Sequence, residues 1–135
     1  MAAVNNSSPL IGLEQIGQIN LLQHLFGQVS IPDAVAAEIE HTVSPRSWIH
    51  LTSISRPIHK KTVRPTLGSG EREAISLAIE IRASAIILDD QAARDVAREL
   101  GLPVIGTAGI LVVAKGKEAD PRCEDSPGCA QGEWL

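Results

Sequence analysis

Ala85-Ile86-Ile87-Leu88, followed at once by Asp89-Asp90, is the stretch of sequence that decides the fold. A strand of a parallel sheet is covered by helices on both faces, so it appears as an uninterrupted apolar run rather than an alternating one. The four apolar residues therefore predict a buried parallel strand, and the two aspartates mark its carboxyl end. A helical pattern closed by Gly101 follows, which predicts a crossover helix after this strand.

Strand and helix patterns alternate along the rest of the chain as well. Further short strands are predicted at residues 2–4, 28–31, 48–54 and 103–105, and helices at 9–16, 19–26, 32–41, 71–82, 91–100 and 107–114. Strands that alternate with helices form a parallel sheet with helices on both of its faces. The sequence thus predicts a three-layer α/β/α fold with a central parallel sheet of about four to five short strands.

The composition narrows the classes of function. The chain has 135 residues, of which 44% are hydrophobic, but it has only two Trp, one Phe and no Tyr. This length suits one domain. An aromatic platform that stacks single-stranded bases is not expected, because such platforms are built from aromatic rings. The net charge of −4 lacks the basic excess typical of many nucleic-acid-binding domains, but it does not exclude such a partner.

Neither a membrane segment nor a secretion signal is predicted. No apolar run reaches the length needed to span a bilayer. The first residues lack both the basic start and the apolar core of a signal peptide. The two cysteines, Cys123 and Cys129, form no disulfide framework and suit a reducing compartment. We therefore expect a cytoplasmic protein without a membrane partner.

The composition changes abruptly after Glu118. The domain is predicted to occupy residues 1–118, and residues 119–135 an irregular, unstructured tail without hydrophobic periodicity. Codon degeneracy allows this tail to be encoded by DNA whose neighbouring frame reads Gly-Leu-Ile-Pro-Ala-Val-Lys-Thr-Pro-Leu-Asp-Ala-Leu-Arg-Ala-Ser-Gly, an amphipathic helical pattern. A frameshift near Glu118 is therefore predicted. If the frameshift holds, apolar surface once covered by the lost helices is exposed, which favours poor solubility or self-association, for example as a homodimer.

Five oxygen-bearing side chains lie at or near the predicted strand ends, where open parallel sheets bind ligands. Asn6 follows the first strand, and Asp89 and Asp90 follow the buried strand. Glu71 opens the helix that leads into the buried strand, and Glu38 lies on the helix after the second strand. Oxygen ligands without His or Cys suit magnesium or manganese rather than zinc. Such ions can activate a water and stabilise a phosphodiester transition state.

Each of these residues also has a structural explanation that involves no ligand. Asp90 is at the position where an aspartate commonly caps a helix. Glu71 at the start of its helix complements the helix dipole. Glu38 could belong to a solvated helix face. Taken singly, the structural explanation is the better one for each residue, and their conjunction at strand ends leaves both explanations open.

Several segments carry a resemblance to a known family. They are Asn6-Ser7-Ser8-Pro9-Leu10-Ile11, Ile31-Pro32-Asp33-Ala34-Val35 with Glu38, Gly70-Glu71-Arg72-Glu73-Ala74-Ile75, Leu88-Asp89-Asp90 with Ala93-Arg94, Gly101-Leu102-Pro103-Val104, and Gly106-Thr107-Ala108-Gly109. In this order they resemble the motifs of PIN-like proteins, and the later ones closely resemble a VapC-like branch of mostly uncharacterised bacterial and archaeal proteins. The resemblance extends over residues 2–117.

The resemblance implies a metal-dependent ribonuclease of a toxin–antitoxin system. RNA would be the substrate, and a small antitoxin protein would block the site. Magnesium or manganese would be the cofactor, held by Asn6, Glu38, Glu71, Asp89 and Asp90. Of these, Glu38, Glu71 and Asp90 would be catalytic, with Asp90 the preferred acid of the adjacent pair.

The sequence departs from the family pattern in two places. Asn6 stands where the general PIN pattern has an aspartate, although asparagine also occurs there in this branch. It keeps a ligand oxygen but removes a charge, so metal affinity should fall. In addition, the C-terminus lacks the family's further helices. Both departures favour two alternatives to a nuclease, namely an inactive nucleic-acid- or protein-binding module and a non-functional truncated remnant.

Overall fold

The sheet is built from five short strands, and helices cover both faces of its inner strands. The computed structural model of the chain describes residues 2–58, 60–63 and 65–118. Its elements are β1 (Ala2–Asn5), α1 (Ser7–Gln15), α2 (Asn20–Phe26), β2 (Gln28–Ile31), α3 (Asp33–Ile39), β3 (Ile49–Leu51), a 3-10 turn (Lys60–Thr62), α4 (Ser69–Ile81), β4 (Ala85–Ile87), α5 (Gln91–Glu99), β5 (Val104–Ile105) and α6 (Thr107–Glu118).

The five strands form one parallel sheet in the order β3-β2-β1-β4-β5. Val4 of β1 is in register with Ile86 of β4, and Ala3 is in register with Val29 of β2. The chain moves outward from β1 to β3 and then returns to the other side of β1 with β4. The direction therefore reverses between β1 and β4, and crevices for ligands open at the carboxyl ends of strands beside such a reversal.

The two faces of the sheet are covered by separate hydrophobic clusters. Ala3 packs on one face with residues of α1, α2, α3 and α6, whereas Val4 packs on the other face with residues of α4 and α5. Ile86, Ile87 and Leu88 are fully buried. A strand enclosed on both sides explains the unbroken apolar run at this position. The predicted three-layer α/β fold with a parallel sheet is confirmed.

Most element boundaries differ from the sequence predictions by one or two residues, and those of β3, α1 and α6 differ most in their consequences. The strand predicted at 48–54 is ordered as β3 only over Ile49–Leu51, since β3 is an edge strand that pairs with β2 alone. The first helix begins at Ser7 rather than at residue 9, which places Asn6 at its N-cap. The last helix, α6, continues to Glu118.

The predicted tail at 119–135, with its frameshift, lies outside the described residues. Within the described part of the chain, no helix is long and apolar enough to cross a membrane.

The loop after β3 is fastened to α4 by one carboxylate. Glu80 accepts hydrogen bonds from the backbone N–H of Ser55 at 3.0 Å, from the Ser55 hydroxyl at 2.7 Å and from the backbone N–H of Arg56 at 3.0 Å. The Ser55 hydroxyl is the main cause that lowers the pKa of Glu80 below its usual value of 4.5. A carboxylate with a lowered folded-state pKa stabilises the fold above its unfolded pKa, and this contribution disappears as the pH falls through the folded pKa.

We expect Glu80→Gln to lower the melting temperature at neutral pH, because the amide replaces a charged acceptor of three hydrogen bonds. The difference in melting temperature between variant and wild type should shrink as the pH is lowered below 4.5, because the wild-type carboxylate then loses its charge. Differential scanning calorimetry over this pH range measures both effects. Glu40→Gln, on the exposed side of α3, is the matched control and should show a smaller and flatter difference. A pH-independent loss in Glu80→Gln would contradict the role given to its charge.

Candidate functional site

Asn6 lies at the point where the sheet changes direction. Its backbone N–H donates to the carbonyl of Ile87 at 3.1 Å, which ties the end of β1 to the end of β4. The residue is completely buried. Because the main chain is fixed at this place, the Asn6 side chain projects from a rigid position beyond the carboxyl end of the central strand.

The Asn6 amide links the sheet to α4. Its Nδ2 donates to Oε2 of Glu71 at 2.8 Å, and the other oxygen of that carboxylate accepts from the backbone N–H of Gly68 at 2.9 Å. The amide orientation follows from chemistry, since an ionised carboxylate only accepts hydrogen bonds. Asn6 Oδ1 therefore points away from Glu71. It is buried and has no hydrogen-bond partner in the described structure.

Glu38 of α3 approaches the same place from the other side. Its Oε1 accepts a hydrogen bond from the Ser7 hydroxyl at 2.8 Å. A Cβ added to Gly70 would lie 2.5 Å from Glu38 Oε1 and 3.1 Å from Asn6 Oδ1. A larger residue at this position would have to displace the Glu38 carboxylate, and two acceptor oxygens lie beside the glycine. Three of the five predicted site residues, Asn6, Glu38 and Glu71, are thus brought together.

The two aspartates after β4 form hydrogen bonds with the starts of two helices. Asp90 is the N-cap of α5, where its Oδ2 accepts from the backbone N–H of Ala93 at 2.9 Å. Asp89 accepts from Thr107, the first residue of α6, at 2.7 Å from its N–H and 2.6 Å from its hydroxyl. Both side chains lie at the same edge of the sheet as Asn6. The capping explanation of Asp90 is confirmed, while a ligand role for either aspartate stays a prediction.

The sequence reasoning missed two residues that hold the predicted acids in place. Ser7 orients Glu38, and Thr107 binds Asp89 through two atoms. A serine shortly before the predicted helix at 9–16 indicates only a turn or a cap, so the sequence carries no signal for the Ser7 contact. Thr107 carried a usable signal, since a threonine that starts a helix directly after a strand end lies at the ligand-binding edge of a parallel sheet.

Comparison with known proteins decides the family. The model of the family described as DUF3368, PIN domain, matches residues 2–123. The chain belongs to this PIN domain family. A PilT N-terminus domain protein from the hyperthermophilic archaeon Sulfolobus solfataricus P2 has a similar solved structure, with 22% sequence identity and a TM-score of 0.60. The similarity covers 84% of this chain and 93% of that one, and it shows the shared fold. No curated protein matches the chain.

PIN domains are generally nucleases and typically depend on a divalent metal ion, so the residues of this PIN domain can be tested for their fit to one. The described residues contain no group of three or more His, Cys, Asp or Glu side chains arranged around one ion position. They do offer a buried amide oxygen without a partner, beside a carboxylate oxygen of Glu38. A hard cation is the kind of group that satisfies two such oxygens. Oxygen donors of this kind suit magnesium or manganese. Because one of the two is an uncharged amide oxygen, they carry little negative charge.

Asn5, the residue before Asn6, must be distinguished from this site. It is also completely buried, and both atoms of its amide lack partners in the described structure. Successive side chains of a strand point to opposite faces, so Asn5 shares the face of Ala3. That face packs against α1, α2, α3 and α6, whereas the Asn6 amide contacts α4. The two asparagines therefore do not form one ligand pair.

We expect Asn6→Asp to destabilise the PIN domain in EDTA. The aspartate removes the N–H that binds Glu71 and puts two negative charges side by side, which should lower the free energy of unfolding by at least about 2 kcal/mol. Mn²⁺ should raise the melting temperature of this variant more than that of the wild type, because the added charge strengthens the cation site. Differential scanning fluorimetry with EDTA or Mn²⁺ measures both.

Asn20→Asp is the matched control, since it makes the same chemical change at an exposed residue of α2. It should raise the melting temperature slightly, because Arg46 donates to the Asn20 side chain at 3.3 Å, and the change should be equal with either additive. An equal loss of stability by Asn6→Asp in EDTA and in Mn²⁺ would rule out a cation beside position 6.

Proposed function

We propose that this PIN domain is a metal-dependent endoribonuclease of the toxin–antitoxin type, in the VapC-like branch, with a low activity. The observation that carries the proposal is the unpartnered Asn6 Oδ1, buried beside the Glu38 carboxylate at the strand ends of a PIN domain. An acceptor in this state lacks about 1–3 kcal/mol of hydrogen bonding. A bound cation would supply this interaction.

In the proposed site, Asn6, Glu38 and Glu71 hold magnesium or manganese. Such an ion, when bound, supplies a positive charge next to the phosphodiester and activates a water. Ser7 orients Glu38 through a hydrogen bond, and Gly70 leaves space between the acid and Asn6. Glu71 is held from both sides by Asn6 and Gly68, so its carboxylate has a fixed position before any ligand binds.

Asp90 is the preferred third acid of the proposed site. Both oxygens of Asp89 accept hydrogen bonds from Thr107. Asp90 uses only Oδ2 for its cap, and within the described residues its Oδ1 accepts no hydrogen bond. A carboxylate can cap a helix with one oxygen and bind a ligand with the other. Asp89 would then act mainly by fixing the start of α6.

The proposed partners follow from the proposed activity. RNA is the substrate, and a small antitoxin protein covers the site in the resting complex. A cytoplasmic location suits both partners. Homodimerisation is supported by exposed apolar side chains, since Ile16 of the α1 end is 55% exposed and Val112 of α6 is 66% exposed. Large apolar side chains at a surface are typical of sites of association when they are contiguous.

An inactive binding module is the second candidate function. Two observations favour it: Asn6 removes one charge from the site, and Asp89 and Asp90 are already hydrogen-bonded to helix starts. Such a module would keep the PIN fold and bind nucleic acid or protein without hydrolysis. A truncated remnant without function is the third candidate, and it depends on the C-terminal sequence rather than on the site.

Weak Mn²⁺ binding is the first expected property of the proposed site. Titration calorimetry should give a measurable heat for the wild type and at least about tenfold weaker binding for Glu38→Gln and Asp90→Asn. Both variants remove a charge and keep the shape of the side chain, and an asparagine also keeps the cap of α5. Glu40→Gln, at the exposed C-cap of α3, should bind as the wild type does. Equal heats in all four proteins would exclude the proposed ligands.

RNA cleavage is the second expected property. Incubated with structured and single-stranded RNA in Mn²⁺, the wild type should cut slowly, and Asn6→Asp should cut at least about tenfold faster because it restores a full charge to the metal site. EDTA should stop the reaction, and Asn6→Asp combined with Asp90→Asn should abolish it. Fast wild-type cutting that Asn6→Asp leaves unchanged would contradict the role of the missing charge. Absence of cutting by every form would favour the binding module.

A further inference from the structure

Arg94 of α5 has no ionic or hydrogen-bonded partner in the described part of the chain. Its Nε is shielded from water and makes no hydrogen bond, although the side chain as a whole is partly exposed. A buried N–H donor without an acceptor is unfavourable, and the penalty is larger for a charged group. Arginines are normally fully exposed or paired with a carboxylate. This side chain therefore requires an explanation.

The guanidinium lies at the carboxyl edge of the sheet. The position that a Cβ on Gly106 would occupy is 3.5 Å from Arg94 Nη1, 3.4 Å from the carbonyl oxygen of Leu88 and 3.2 Å from Asp89 Oδ1. Leu88 directly follows β4, and Gly106 directly follows β5. Since the neighbouring residue of β4, Ile87, binds the backbone of Asn6, Arg94 stands beside the strand ends that form the proposed metal site.

Asp89 does not neutralise this arginine. Both of its oxygens bind Thr107, and none of the ion pairs among the described residues joins Asp89 to Arg94. The carboxylate therefore leaves the donor groups of the guanidinium free. The result is a positively charged, partly dehydrated group with free donors, at the same edge of the sheet as an oxygen-lined cation site.

We propose that Arg94 binds a phosphate of the RNA backbone next to the site. This inference rests on the proposed function, because it names the residue that holds the nucleic-acid substrate of that site. A guanidinium presents several N–H donors in one plane and matches two phosphate oxygens at once. A dehydrated arginine binds phosphate more strongly than a fully solvated one, since less water must be removed. Contact with a phosphate carries no sequence information, so Arg94 contributes affinity and register rather than base specificity.

The test measures binding without cleavage. Fluorescence anisotropy of a short fluorescein-labelled single-stranded RNA, in EDTA and at several KCl concentrations, compares the wild type with Arg94→Ala, Arg94→Lys and Arg98→Ala. Arg98 is exposed on the same helix, one turn after Arg94, with Asp95 at 3.9 Å. Arg94→Ala should weaken binding about tenfold and reduce the slope of log affinity against log salt by about 0.7, the value for one contact to a single strand. Arg94→Lys should recover part of the affinity, and Arg98→Ala should stay within about twofold of the wild type.

Thermal stability separates binding from a structural role. Arg94→Ala removes an unsatisfied donor, so its melting temperature should equal or exceed that of the wild type. A clear fall in melting temperature, or wild-type affinity and salt slope in Arg94→Ala, would overturn the inference and leave the proposed nuclease intact. If the wild type itself fails to bind the RNA in EDTA and also fails to cut it in Mn²⁺, the proposed function fails and this inference fails with it.

Discussion

The fixed position of Asn6 is the constraint on which the rest of the site depends. Its backbone joins β1 to β4, and its amide N–H holds the Glu71 carboxylate. The N-terminus of α4 is thereby attached to the sheet at the point where the chain reverses direction. Gly70, in the first turn of the same helix, lies close to the Glu38 carboxylate, which a Cβ at this position would displace. One residue therefore sets the relation between sheet, α3 and α4 at the strand ends.

Asn6 also lowers the negative charge of the proposed site, compared with an aspartate at the same position. An aspartate at position 6 would need a cation or a proton between itself and Glu71, whereas the asparagine bridges to Glu71 with its own N–H. The site is therefore held together without a ligand. The benefit is stability in the free protein, and the consequence is a weaker attraction for a second charge. The proposed site is therefore low in charge, and its side chains are held by hydrogen bonds within the protein.

Much of the fold could be predicted because it depends on local pattern. Ala85 to Leu88 is apolar throughout because β4 is covered on both faces, and its aspartates end the strand. The length of β3 could not be predicted, since an edge strand is ordered only where its single neighbour reaches. That Asn6, Glu38 and Glu71 lie close together was only partly predictable. Parallel topology brings strand ends to one edge of the sheet, but it does not fix which side chains make contact. The Ser7 and Thr107 contacts depend on rotamers that no sequence period encodes.

Two of the unsatisfied groups near this edge of the sheet, Asn6 Oδ1 and Arg94 Nε, are of opposite character. Asn6 Oδ1 is an acceptor that lacks a donor or a cation, and Arg94 Nε belongs to a cation that lacks an anion. Each lacks about 1–3 kcal/mol of hydrogen bonding, which is a large share of the stability of a small domain. A salt bridge between them is excluded because Asn6 is uncharged. In the proposed function, the metal ion would be bound by the Asn6 oxygen and the RNA phosphate by the Arg94 guanidinium. The proposed substrate and its metal ion would thus each supply a partner to one group that the fold leaves without one.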